Sequence, residues 1–151
     1  NDSELTWIME AALGPWLTAL TPDALVVQCG ADGLMEDPLC RLEYSNGVLW
    51  RAVADLVAAV PRAVVLGGGG YHPQALVRCW SGLWATLSGH AIPDKLPPQV
   101  QALLAGLAKG GSGRQRHDVV APRLLTTLAD RPRPGPLRDE VRQAVARLAA
   151  A

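Results

Sequence analysis

The stretch VVLGGGGYHPQALVRCW, Val64 to Trp80, sets the reading of the whole chain. An apolar, β-branched segment runs straight into four consecutive glycines, then a tyrosine, then a proline-initiated segment with helical spacing. That order reads as strand, loop and helix, with Pro73 at the first helical position. Glycine inside regular structure costs roughly 0.5–1 kcal/mol relative to alanine, so four in a row imply that something approaches the backbone closely. Tyr71, directly after them, raises the matching question of what its hydroxyl meets.

Upstream, SNGVLWRAVADLVAAV (45–60) repeats apolar residues at Leu49, Val53, Leu56, Val57 and Val60, a helix stopped by Pro61. ALVVQCG (24–30) and RAVVLG (62–67) are short, nearly continuous apolar runs, as buried parallel strands are. ELTWIMEAALGPWLTAL (4–20) is helical by spacing, with Ser3 as N-cap and a kink or split expected at Gly14-Pro15. Residues 73–89 form a further helix, with Leu76, Trp80, Leu83, Trp84 and Leu87 on its apolar side. Helix, strand, loop, helix, strand, loop and helix in that order predict an α/β sheet with parallel strands. The loops after Gly30 and Gly67 then leave the same carboxyl edge, where such sheets bind ligands.

Downstream the pattern is helical. A helix opens at Pro97-Pro98 with Val100, Leu103, Leu104 and Leu107 as its stripe, GGSGRQR (110–116) is a loop, and 119–129 is helical. The last helix, Leu137 to Ala150, turns Leu137, Val141, Ala144, Val145 and Leu148 inward. From Arg114 to Arg147 eight arginines face four acids, and they read as a solvated helix surface.

The 151 residues suit one domain with a real core, and 49% apolar against 19% charged is a globular composition. Zero net charge leaves no electrostatic footprint for nucleic acid or an anionic membrane. No apolar run reaches the roughly 20 residues of a spanning helix, and no leader pattern opens the chain. Cys29, Cys40 and Cys79 are an odd set without CxxC spacing, which points to reduced thiols and a cytoplasmic protein.

Chemistry concentrates in the two loops. The first, QCGADGLMEDPLC (28–40), carries Asp32, Glu36 and Asp37. Taken alone, Asp32 reads as a solvated turn residue. The second loop fails the phosphate patterns, because His72 stands where GxGxxG wants glycine and no GK[ST] follows. The glycines have a purely structural reading, as a bulge that lets helix 73–89 pack on the sheet. A reading that joins both loops has Asp32 holding a divalent metal, with Tyr71 opposite it beside a slot of bare backbone. A tyrosine hydroxyl can donate to an oxyanion at neutral pH, and with metal polarisation that suits amide hydrolysis.

PDALVVQCGADGL and EDPL, the Ser45-Asn46-Gly47 helix start, LGGGGY and RCW follow in order over residues 5–90. Together they resemble the class I histone deacetylases and, more closely, the bacterial acetoin-utilisation-type deacetylases. The resemblance implies the C-terminal part of an arginase/deacetylase-type parallel-sheet fold with flanking helices. Residues 1–90 would carry the sheet and active-site loops, and 91–151 a helical tail. It implies a zinc-dependent deacetylase in which Asp32 is a Zn2+ ligand and Tyr71 stabilises the tetrahedral intermediate. Gly68 and Gly69 would line the acetyl-lysine tunnel, and Leu39 would sit at its rim. His72 departs from the residues usual after that tyrosine and receives no role.

The paired histidines and the Asp-x-His of that family have no counterpart among His72, His90 and His117, and catalytic zinc takes about three protein ligands. His90 reads as a surface turn residue and His117 as a loop residue. The chain is therefore expected to be truncated, or to assemble with an N-terminal part of the same protein, and to be inactive without it. Acetyl-lysine in proteins is the expected substrate and acetylated polyamines the alternative. A non-catalytic, deacetylase-like binding module is a further alternative, which the presence of both Asp32 and Tyr71 speaks against.

Overall fold

The computed structural model describes residues 1–109 and 122–149. Two strands, β1 (Leu25–Cys29) and β2 (Ala63–Gly67), pair in parallel with Leu25 opposite Ala63 and Cys29 opposite Gly67. The connection between them carries α3 (Asn46–Ala58), and α4 (Pro73–Leu87) follows β2. Before the sheet come α1 (Asp2–Ile8) and α2 (Gly14–Leu20); after it come α5 (Pro98–Lys109), α6 (Pro122–Thr126) and α7 (Asp139–Ala149).

Pro15 splits the first helical stretch as expected, and the split takes the form of a π-helical turn. Proline has no N–H to give the carbonyl one turn back. The backbone widens over Met9–Leu13, where the Gly14 N–H reaches the Met9 carbonyl five residues back. The N-cap of α1 is Asn1, whose side chain accepts from Glu4 N, and not Ser3. Ser45 caps α3, its Oγ accepting from Val48 N at 3.3 Å.

The strands alternate. Val27, Cys29 and Val65 turn toward α3 and α4, where Cys29, Trp50, Val53 and Leu83 form a buried cluster. On the opposite face Val26, Val64 and Leu66 stand exposed at 65%, 55% and 48%. The continuous apolar runs that read as doubly covered strands are thus covered on one face only by the described residues. Two helices also depart from the expected burial. On α4, Trp80, Trp84 and Leu87 of the expected apolar stripe lie exposed, and Ala75, Arg78, Cys79 and Gly82 are buried beside Leu83. On α5, Leu104 is buried but Val100 and Leu103 are exposed.

The C-terminal stretch returns along the front of the chain. Asp2 accepts from Arg133 N and from Ser45 N, both at 2.7 Å. The Arg138 guanidinium binds both Glu4 carboxylate oxygens, at 2.7 and 2.9 Å, and holds that carboxyl down to about 2. Arg133 and Arg138 are thus tied within the chain, while the Arg138 side chain stays exposed, as a solvated surface implies. The loop expected over 110–116 and His117 lie outside the described residues. No helix among the described residues is long and apolar enough to cross a membrane.

Candidate active site

Where β1 and β2 end side by side, their loops stay in contact. The Ala31 N–H donates to the Gly69 carbonyl at 2.6 Å, so the first-loop and second-loop residues face each other at one sheet edge. A Cβ on Gly68 would stand 2.8 Å from Gly30 Cα, and one on Gly69 would stand 2.7 Å from Asp32 Cγ. Gly70 has φ +146°, in the left-handed region that side chains rarely adopt. Gly67 faces the Trp80 ring, 2.9 Å from where a Cβ would be. The glycine run is thus required by the opposite backbone, by Asp32 and by α4, and the structural reading of packing against helix 73–89 accounts for Gly67.

Asp32 is half-buried at this edge. Among the described residues none donates a hydrogen bond to its carboxylate. Behind it the Tyr44 hydroxyl packs against Gly33. Burial chiefly, and then the Asp32 charge, push Tyr44 above the ordinary tyrosine range, so it stays protonated. Tyr71 is 49% exposed, and Leu39 69%.

One residue joins these last two. Asp37 is 6% exposed, and its Oδ2 accepts from Tyr71 N at 2.7 Å. Its Oδ1 accepts from Leu39 N at 2.9 Å and Cys40 N at 3.2 Å. Sequence reading saw Asp37 only as one of three loop acids. The signal available was Asp-Pro-Leu-Cys, an aspartate placed to bind amides two and three residues on. His72, which received no role, is buried and caps α4, its Nδ1 accepting from Ala75 N at 3.3 Å. His90 is exposed as expected, with its ring 5.0 Å from that of Trp84.

Neither buried thiol is a ready nucleophile. Burial raises Cys29, and it pushes Cys79 up to about 12. Among the described residues no group of three or more His, Cys, Asp or Glu comes together to hold a metal. Asp32 suits a single oxygen ligand, since among the described residues its carboxylate has no competing hydrogen-bond donor and Gly69 leaves it room. An apolar groove of about 260 Å³ runs along β2 between Leu66, Trp80, Trp84 and Leu87, but neither Asp32 nor Tyr71 lines it.

The histone deacetylase domain model matches residues 1–87. Histone deacetylase 8 of Xenopus laevis is 30% identical over 97 residues, which are 64% of this chain and 30% of that protein. Putative histone deacetylase 2 of Caenorhabditis elegans is 37% identical over 76 residues, 50% of this chain and 15% of that one. The crystal structure of an HDAC homologue from Aquifex aeolicus superimposes with a TM-score of 0.82 at 32% identity, over 99% of this chain and 39% of that chain. An HDAC homologue complexed with SAHA superimposes equally well at 31% identity. The chain spans less than half the length of each of these relatives, and the superposition takes in the C-terminal helices as well as both loops. With its parallel strands, its paired loops and a domain match over more than half its length, the chain belongs to the histone deacetylase family.

Proposed function

We propose that this chain is the C-terminal portion of a single deacetylase domain, and that it supplies part of the active site of a zinc-dependent enzyme acting on acetyl-lysine. The observation that carries the reading is the Ala31–Gly69 hydrogen bond, which brings Asp32 and the residues before Tyr71 together at one sheet edge. Asp32 is one zinc ligand, and the remaining ligands and the general base come from an N-terminal part of the same protein. Bound there, zinc supplies Lewis-acid polarisation of the amide carbonyl. Tyr71 donates its hydroxyl hydrogen to the oxygen that becomes negative as water adds. Gly68 and Gly69 form a side-chain-free wall for the acetylated lysine, and Leu39 covers its rim with apolar surface. Acetate and a free amine leave. The free thiols of Cys29, Cys40 and Cys79 agree with a cytoplasmic setting.

The test is turnover of an acetyl-lysine peptide by the full-length protein, measured as acetate release. Tyr71→Phe is expected to lower kcat by about 10²–10³-fold, the loss of one oxyanion donor, with zinc content unchanged. Asp32→Ala is expected to lower zinc content itself. Wild-type turnover by Tyr71→Phe removes the oxyanion role, and unchanged zinc in Asp32→Ala removes the ligand role. Absence of any turnover in the zinc-loaded full-length protein favours the binding-module alternative.

A further inference from the structure

We propose that Asp37 is the positioning residue that fixes Tyr71 relative to the slot rim, a role that rests on the reading of Tyr71 as oxyanion donor. Its two carboxylate oxygens divide the work. Oδ1 gathers the amides of Leu39 and Cys40, which shape the rim, and Oδ2 takes the amide of Tyr71. The carboxylate is almost fully buried, and amide-to-carboxylate bonds are about twice as strong as neutral ones.

Tyr71 needs such an anchor. Its side chain is half exposed, and the residue before it is a glycine at φ +146°, where the backbone has little side-chain restraint of its own. The amide of Tyr71 is the point at which the opposite loop holds it. A catalytic hydroxyl has to stand within a fraction of an ångström of its oxyanion, and a misplacement of about 1 Å costs about 100-fold.

Asparagine separates this role from simple bulk. Its carboxamide has one acceptor oxygen and one donor nitrogen. It can serve Leu39 and Cys40 or Tyr71, but the remaining amide then faces a donor. In the full-length protein assayed on an acetyl-lysine peptide, Asp37→Asn is expected to lower kcat by roughly 10- to 100-fold while zinc content stays at the wild-type level. On a Tyr71→Phe background the same change should cost little more, because there is no hydroxyl left to misplace. In the same full-length protein, the Tyr71 amide should exchange with deuterium faster in Asp37→Asn than in wild type.

Wild-type kcat in Asp37→Asn overturns the proposal, and so does a loss that multiplies in full onto Tyr71→Phe. If Tyr71→Phe alone keeps wild-type turnover, the oxyanion reading fails instead, and amide exchange still reports whether Asp37 holds Tyr71. Should Asp37→Asn not fold, Asp37→Ser keeps a short oxygen acceptor for Leu39 and Cys40 without reaching Tyr71, and the same outcomes apply.

Discussion

Gly69 shows how one missing side chain serves two loops. A Cβ there would meet the Asp32 carboxylate, and the Gly69 carbonyl at the same time accepts from Ala31 N. The chain therefore cannot add even a methyl group without moving the proposed ligand. Gly69→Ala is expected to destabilise the chain by about 1–3 kcal/mol, the usual cost of overpacking, read from urea unfolding followed by tryptophan fluorescence. The cause can be isolated with a second change: an Asp32→Ala background removes the carboxylate and leaves only the Cβ at 3.2 Å, so adding Gly69→Ala should then cost clearly less. Losses that simply add would show that the alanine offends something other than Asp32. The four glycines were a visible anomaly in the sequence, but their neighbours were not. Gly30 and Asp32 lie more than thirty positions earlier, and only the parallel pairing of β1 with β2 brings them opposite.

The C-terminus of α2 ends on Thr21, at φ 42° and ψ 56°, a left-handed conformation normally left to glycine or asparagine. A β-branched residue pays about 1–2 kcal/mol there. Pro22 follows, so the helix cannot continue and the turn is held by its surroundings. Thr21→Asn is expected to stabilise the chain by about 1 kcal/mol, seen as a thermal midpoint higher by roughly 2–4 °C. An unchanged or lower midpoint would mean that the threonine methyl packs well enough to offset its strain. At this scale the sequence was highly legible. Periodicity located both strands to within a residue or so, because alternation of apolar runs with turn residues survives whatever packs outside them. Burial on α4 was not legible. Arg78 is 1% exposed although arginine reads as a surface residue, and Trp84 is 64% exposed although tryptophan reads as core. Each depends on what stands opposite: a carboxylate fifty-two positions away for Arg78, and the uncovered flank of β2 for Trp84.

Across the whole molecule, that distant carboxylate does more than neutralise an arginine. Asp130 Oδ1 lies 2.8 Å from Arg78 Nη1 on α4, and its Oδ2 accepts from Asn46 N at the start of α3. Asn46 returns two bonds to the same segment, its Oδ1 accepting from Asp130 N at 2.8 Å and its Nδ2 donating to the Leu128 carbonyl at 2.9 Å. Arg78 Nε donates to the Thr127 carbonyl at 2.7 Å. Residues 127–130 thus clamp α3 and α4 close to where each leaves its candidate-site loop. The clamp is buried, with side chains 1% and 5% exposed for Arg78 and Asp130. Breaking it from one side strands a charge in a low-dielectric interior, a loss of about 3–5 kcal/mol. Asp130→Ala is expected to lose that much in urea unfolding. Converting the pair together, with Arg78→Met and Asp130→Leu, should recover a large part, since the stranded charge is what costs. A loss of only about 1 kcal/mol, the worth of an exposed ion pair, would mean that water reaches Arg78 and that the tail rests on the helices without holding them. The expected larger loss would make the C-terminal segment the structural support behind both loops, and truncation before Asp130 would then be expected to unfold the site edge along with the tail.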